Sequence, residues 1–367
     1  MTLSQHLKPP VPFSPDVETI PDDEAETITE LNETMGKIRQ TTFENSGHAM
    51  RSVHAKSHGY LVGEMTIEPG LAAEFAQGLF AGTGTHPVLM RFSTNPGDIL
   101  DDKVSVPRGL AIKVLDVNGP QLSGQGTTQN FVLANGPAFT VPTPKKFLQN
   151  LKLLAKTTDK GEGAKIALSA TLQAVEKVVE AFGGKSGTLV SLGGHAETNV
   201  LGESYFSQVP LRFGDYIAKL SVVPISNGLT ALTDAKVDLK DKPDGLRQAL
   251  VDFFAANGGQ WAVKVQLCRD LESMPIEDAS AEWTEDDSPY VTVATISVQA
   301  QAAWTEARAT AVDDGMLFSP WRGLVAHQPL GGVMRSRKSV YEKSAEFRAA
   351  RNGRPVEEPT SLMGLPI

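Results

Sequence analysis

Apolar and polar residues alternate over a series of short runs that begin near residue 51, each rich in β-branched or aromatic residues and bounded by Gly or Pro. They predict eight strands, at 52–67, 87–95, 107–116, 129–135, 203–208, 211–223, 261–270 and 289–299. Between the fourth and fifth, the period turns helical over PKKFLQNLKLLAKTTDKGEGAKIALSATLQAVEKVVEAFGG, with a break near Gly161 and Gly163. This predicts a helical insertion at about 143–185. A second helix fits DGLRQALVDFFAANGG, entered through Asp244 and closed by Gly258, and a third fits RSRKSVYEKSAEFRAARNG, stopped by Gly353.

Strands that follow one another without regular intervening helices pair antiparallel, and about eight of them close into a barrel with no free edge. The predicted fold class is therefore α+β: an eight-stranded antiparallel β-barrel over 46–310, followed by a wrapping segment at 311–367 that carries the last helix. Residues 1–45 form an arm. Its Pro-rich stretch 9–21 leads into DDEAETITELNETMGKIRQ, whose acidic start and basic end suit a helix dipole. The arm is expected to lie on another part of the molecule or on a sister subunit of a homo-oligomer.

Composition narrows the function classes. With 41% hydrophobic and 21% charged residues over 367 positions, the chain reads as an ordinary globular protein. A net charge of −9 argues against nucleic acid, which needs a concentrated basic surface, and leaves small molecules or proteins as partners. No apolar run reaches the length of a spanning helix, and the polar, proline-rich N-terminus lacks a secretory pattern, so a cytoplasmic location is expected. The single cysteine, Cys268, excludes an intrachain disulfide and any multi-cysteine metal site.

Candidate chemistry concentrates at two places. On the last helix, Arg337, Tyr341 and Arg348 are separated by four and seven residues and fall within roughly 40° of one another. Guanidinium groups are costly to bury without anionic partners, so an anion belongs there if this face is covered. The same residues also suit a solvated basic face with a half-buried tyrosine. A phenol beside a guanidinium is suited to deprotonation and to ferric iron, and tyrosine is one of the proximal ligands that proteins use for haem.

The second place is Arg51-Ser52-Val53-His54-Ala55-Lys56 at the opening of the first strand, where alternation puts Ser52 and His54 on one face. A histidine pointing into the barrel there can move the proton of a peroxide from one oxygen to the other, and it can equally be a hydrogen-bonded structural residue. His54 and His58 have the spacing of a helical zinc pair, but the run is Gly-interrupted and no HExxH or cysteine ligand accompanies it. The lone glycine pairs Gly82/Gly84 and Gly124/Gly126 and the Gly184-Lys185-Ser186 triplet carry no nucleotide-binding pattern, and no nucleophile elbow is present.

Taken in order, RSVHAK, MRFST (90–94), PRGLAIKV (107–114), NFVLANGPAFTVPTPKKF (130–147), YFSQVPLRFGDYIAKLSVVP (205–224) and the Arg337/Tyr341/Arg348 triplet resemble the motif set of the catalase superfamily. The resemblance implies haem, of the b type, with Tyr341 as axial ligand and Arg337 as its charge partner. It implies His54 as the distal acid/base, with Ser93 holding the imidazole. Arg51, Arg91 and Arg348 are implied to pair with haem propionates, and Val53 and Phe147 to line the distal side.

Two departures stand out. The place of the distal amide, three residues before the block's proline, holds Ala134, which makes Asn135 a shifted candidate; and no carboxy-terminal helical domain follows the ligand helix. The resemblance implies a peroxidase or catalase-type enzyme acting on hydrogen peroxide or an organic hydroperoxide, with a small organic reductant. A fatty-acid hydroperoxide isomerase and a haem-binding protein without turnover remain the alternatives.

Overall fold

The computed structural model describes residues 7–123, 126–155 and 195–366. One sheet runs in the order β5-β4-β3-β2-β1-β9-β8-β7-β6, and β5 pairs with β7 as well as with β4. The strands are β1 Ser57–Ile67, β2 Thr85–Thr94, β3 Arg108–Val114, β4 Gln129–Ala134, β5 Tyr205–Phe206, β6 Leu211–Phe213, β7 Tyr216–Pro224, β8 Gly259–Leu267 and β9 Val291–Val298. Because β5 bridges β4 and β7, eight strands close into an antiparallel barrel and β6 hangs from β7 as a hairpin.

Two expectations need correction. The run 211–223 is two strands rather than one, because Gly214 at φ +62° turns the chain between Phe213 and Tyr216. The first strand begins at Ser57, not residue 52, since His54 lies at φ +53° and a bulge follows between Ser57 and Gly59. The alternation predicted for Ser52 and His54 therefore does not apply.

Strand parity sorts the rest. On β2, Val88, Met90 and Phe92 join the barrel's core, with Leu110 and Ile112 of β3 and Trp261 of β8. Burying each such side chain contributes about 1.5–3 kcal/mol. Leu89 of β2 and Ala111 of β3 face outward, onto a second cluster with Tyr60, Val312, Met316 and Phe318. Arg91 and Ser93 share the parity of Leu89, so the candidate groups sit on the barrel's outer face rather than inside it.

Helices cover that face. The longer helices are α1 Glu24–Ser46, α2 Pro144–Ala155, α3 Gly245–Phe254 and α4 Gly332–Asn352. The expected insertion at 143–185 is described only as α2; the remainder, with Gly161 and Gly163, lies outside the described residues. α1 packs its Leu31, Met35 and Ile38 against Leu148 and Leu151 of α2 and Val340 of α4, so the arm folds onto its own chain. Arg335 fastens the entry of both elements by pairing with Glu18 at 2.5 Å, Glu24 at 2.7 Å and Glu277 at 2.9 Å.

α3 closes one end of the barrel with Leu246, Leu250 and Phe254. Its first turn is capped from outside: Asp102 accepts from the Leu246 backbone N–H at 2.8 Å and pairs with buried Lys56 at 2.8 Å. Along the outer face, fully buried Lys113 of β3 donates to Asn130 Oδ1 at 3.0 Å and pairs with Glu358 of the chain's last segment. Among the described residues no helix is long and apolar enough to cross a membrane.

Candidate functional site

Between the outer face of β2–β4, with the segment Arg51–His54 beside it, and the covering helix α4 lies a pocket. Its apolar walls are Val53, Val132, Leu133, Leu317, Phe318 and Val340, and its polar groups are Arg51, His54, Arg91, Ser93, Tyr341 and Arg348. Residues far apart in sequence thus meet in one slot.

On the helix side, Arg337 Nη2 donates to the Tyr341 oxygen at 2.6 Å, and the guanidinium stands 5.2 Å from the ring centroid. The helical spacing of four residues makes this contact. A phenol oxygen that already receives a cationic donor is suited to serve as an anionic ligand.

His54 faces the pocket from the barrel side. Its imidazole lies on Gly109 of β3: a Cβ there would stand 2.4 Å from Cε1 and 2.5 Å from Nδ1. Ser93 Oγ lies 3.2 Å from His54 Nδ1 and 3.5 Å from the Gly109 carbonyl, to which it donates. With the serine proton so committed, the network assigns Nδ1–H as the donor to Ser93 and leaves the lone pair on Nε2. Burial, then the guanidiniums of Arg91, Arg337 and Arg51, push the imidazole down to about 3, so it is neutral.

Arg51, Arg91 and Arg348 form a cationic rim. Asp313 meets two of them, Arg91 Nε at 2.6 Å and Arg51 Nε at 3.5 Å. Arg51 also donates to the carbonyls of Val312 and Met316 at 2.9 Å, and Arg348 donates to Met316 O at 3.2 Å. Among the described residues the buried Arg348 Nε has no hydrogen-bond partner, and Arg51 Nε has none beyond its longer ion-pair contact with Asp313. Burial, then Arg91, lowers Arg51 to about 10, and burial, then Arg51, pushes Arg348 well down. Three guanidiniums against Asp313, with Asp314 acting on Arg348 from further off, leave an excess of positive charge that an anionic ligand would relieve.

The remaining sequence candidates stand elsewhere. Phe147 packs beside Val53 in the cluster that joins α1, α2 and α4, with its ring 5.4 Å from that of Phe139, so it backs the wall without lining it. Asn135 does not reach the pocket. β4 ends at Ala134, and the Asn135 amide accepts from Arg108 N at 2.8 Å and stands 2.7 Å from both His195 Nε2 and Glu203 Oε2.

Gly109 and Phe318 of the pocket, and Asp313 behind its arginines, carry no signal in the sequence: Gly109 looks like strand interior, and Asp313 and Phe318 lie where the chain becomes irregular. Phe318 is flanked by Arg51 at 5.6 Å and Lys113 at 5.2 Å.

No protein-family model matches the sequence, and no curated protein does. Solved structures do resemble it. A fungal catalase aligns with a TM-score of 0.58 at 17% identity, over 89% of this chain and 68% of that one. A bacterial catalase aligns at 0.57 and 16% identity, over 96% and 67%. Catalase A from Saccharomyces cerevisiae aligns at 0.55 and 17% identity, over 84% and 63%, so this chain spans about two thirds of such proteins' length. The fold is catalase-like: a closed antiparallel barrel with helical elements.

Proposed function

We propose that this chain is a haem peroxidase of catalase type, with Tyr341 as the iron ligand and His54 as the proton-transfer group. The carrying observation is the opposition, across one apolar slot, of a guanidinium-supported phenol and a neutral imidazole, with three arginines at the rim. Among the described residues no cluster of three or more His, Cys, Asp or Glu side chains is grouped to hold a bare metal ion. One phenol oxygen instead suits an ion already ringed by the donors of an organic cofactor, and the excess guanidiniums suit that cofactor's carboxylates.

Ferric haem, if bound here, would supply the two electrons that cleavage of the peroxide O–O bond takes up, and the organic reductant would return them. The protein's part is to place and protonate. Val53 and the apolar wall exclude bulk water, and His54 Nε2 accepts the proton of the peroxide's inner oxygen and delivers it to the outer one, which departs as water or an alcohol. Ser93 holds the ring in the tautomer this step needs. Asn135 is committed to Arg108, His195 and Glu203, which supports turnover of a single hydroperoxide with an organic reductant over disproportionation of two peroxides.

Titration of the full-length chain with haemin tests this reading. The expected result is one haem per chain with a tyrosinate-type spectrum that Tyr341→Phe alters or abolishes. His54→Ala should retain the pigment and lose about 10²-fold or more of its peroxide turnover. A chain that binds no haemin, or a Tyr341→Phe spectrum identical to the parent's, would refute it. Conversion of a lipid hydroperoxide to an epoxide or cyclised product without a reductant would instead point to an isomerase.

A further inference from the structure

Asp313 lies on neither the ligand helix nor the segment that carries His54. It sits in the irregular helical turn Thr310–Asp314, and its Oδ2 accepts from Ser57 Oγ at 2.9 Å and from the Tyr60 phenol. Its Oδ1 accepts from Arg91 Nε at 2.6 Å. Arg91 extends the contact: its Nη2 donates to the carbonyl of His54 at 2.7 Å and to that of Ala55 at 3.3 Å.

This chain of contacts ends on a strained turn. His54 has φ +53°, a conformation that side-chain-bearing residues hold only where their surroundings fix it. Its own N–H donates to Asn95 O at 2.8 Å, and its carbonyl is the group Arg91 holds. Rotation of that peptide would swing the imidazole off Gly109. Arg91 is in turn set in β2, paired with Tyr60 of β1 and Ala111 of β3. A guanidinium with both Nε and Nη2 engaged has its plane fixed, and Asp313 supplies the first of those contacts.

We propose that Asp313 is a positioning residue for His54: by fixing the plane of Arg91 it holds the left-handed turn that aims the imidazole into the pocket. The proposal rests on the reading of His54 as the proton-transfer group.

The test uses the full-length chain with labelled histidine, His54→Gln assigning the signal. Three charged groups face this imidazole: Arg91 from β2, Arg51 from its own segment and Arg337 from α4. In the parent chain without haemin, the ring is expected to stay neutral through the mildly acidic range. In Asp313→Ala the turn loosens, the ring reaches water, and its midpoint should rise by about one pH unit or more. Asp313→Asn keeps an acceptor for Arg91 Nε and should restore most of the parent behaviour.

If Asp313 were only a counter-charge, its loss would leave more positive surroundings and the midpoint would stay or fall; that outcome overturns the proposal. Arg91→Lys keeps the charge but lacks the fork, so it gives the same rise even if Asp313→Ala fails to fold, and an unchanged midpoint there overturns the proposal too. With haemin, both variants should keep one haem per chain while peroxide turnover drops about tenfold or more. Failure of the parent to take up haemin would sink the functional reading alone, because the NMR titration reads the positioning without it.

Discussion

Gly109→Ala probes the seat of the imidazole with a single methyl group. Position 109 is β-strand with an ordinary φ, so alanine is compatible with the backbone, and the whole effect comes from contact. The added Cβ would stand 2.4 Å from His54 Cε1 and 2.5 Å from Nδ1, against an ordinary contact of at least 3.4 Å. The ring must therefore move by about 1 Å, and a misplacement of that size costs a catalytic group about 10²-fold. In free energy this is about 2.7 kcal/mol on the barrier. The strain on the fold is of the usual overpacking size, about 1–3 kcal/mol, and leaves a folded protein of this size. Steady-state peroxide turnover of the haemin-loaded variant, beside a thermal melt, separates the two effects. Turnover within about threefold of the parent in a folded Gly109→Ala protein would refute the argument that the ring's position on β3 is what the reaction needs.

Two further outcomes follow from buried charge. Burial holds His54 at about 3 and His327 at about 4, and sends His58 well down, all below the ordinary 6.5. Between those values and 6.5 the unfolded chain binds more protons than the folded one, so stability is fully present above pH 6.5 and is lost as the pH falls below it. Each histidine removes about 1.4 kcal/mol per pH unit, and a urea midpoint that stays flat between pH 7 and pH 5 would contradict this. Glu358→Ala leaves Lys113, fully buried and already lowered to about 8 by burial, without its carboxylate. Loss of about 3 kcal/mol in chemical denaturation is expected, with Lys113→Met recovering much of it in the double variant.

How much of this was legible in the sequence depends on the length scale of the signal. Strands at 87–95, 107–116 and 129–135 appear within two residues at each end, because alternation over six or more residues is a local signal. The helix with Arg337, Tyr341 and Arg348 was equally readable, since helical spacing fixes which side chains share a face. His54 is legible as a residue but not in its conformation: nothing in RSVHAK announces the positive φ of a turn held by contacts from Arg91, Asn95 and Pro96. Asn135 was assigned to the pocket on proximity to a motif, whereas its partners His195 and Glu203 come from residues 60 and 68 positions later. Asp313 is invisible for the same reason, as an acidic pair in an irregular stretch has no period to betray what it touches.

The barrel's division of labour has a consequence for mutational maps. Along β2 Arg91 and Ser93 look out toward the slot, Leu89 looks out onto a packed apolar cluster, and the even-numbered side chains look into the lumen. Saturation mutagenesis of 90–93 should therefore read as a two-beat rhythm, with folding yield lost at one residue and reactivity at the next, and the two phenotypes separable by position alone.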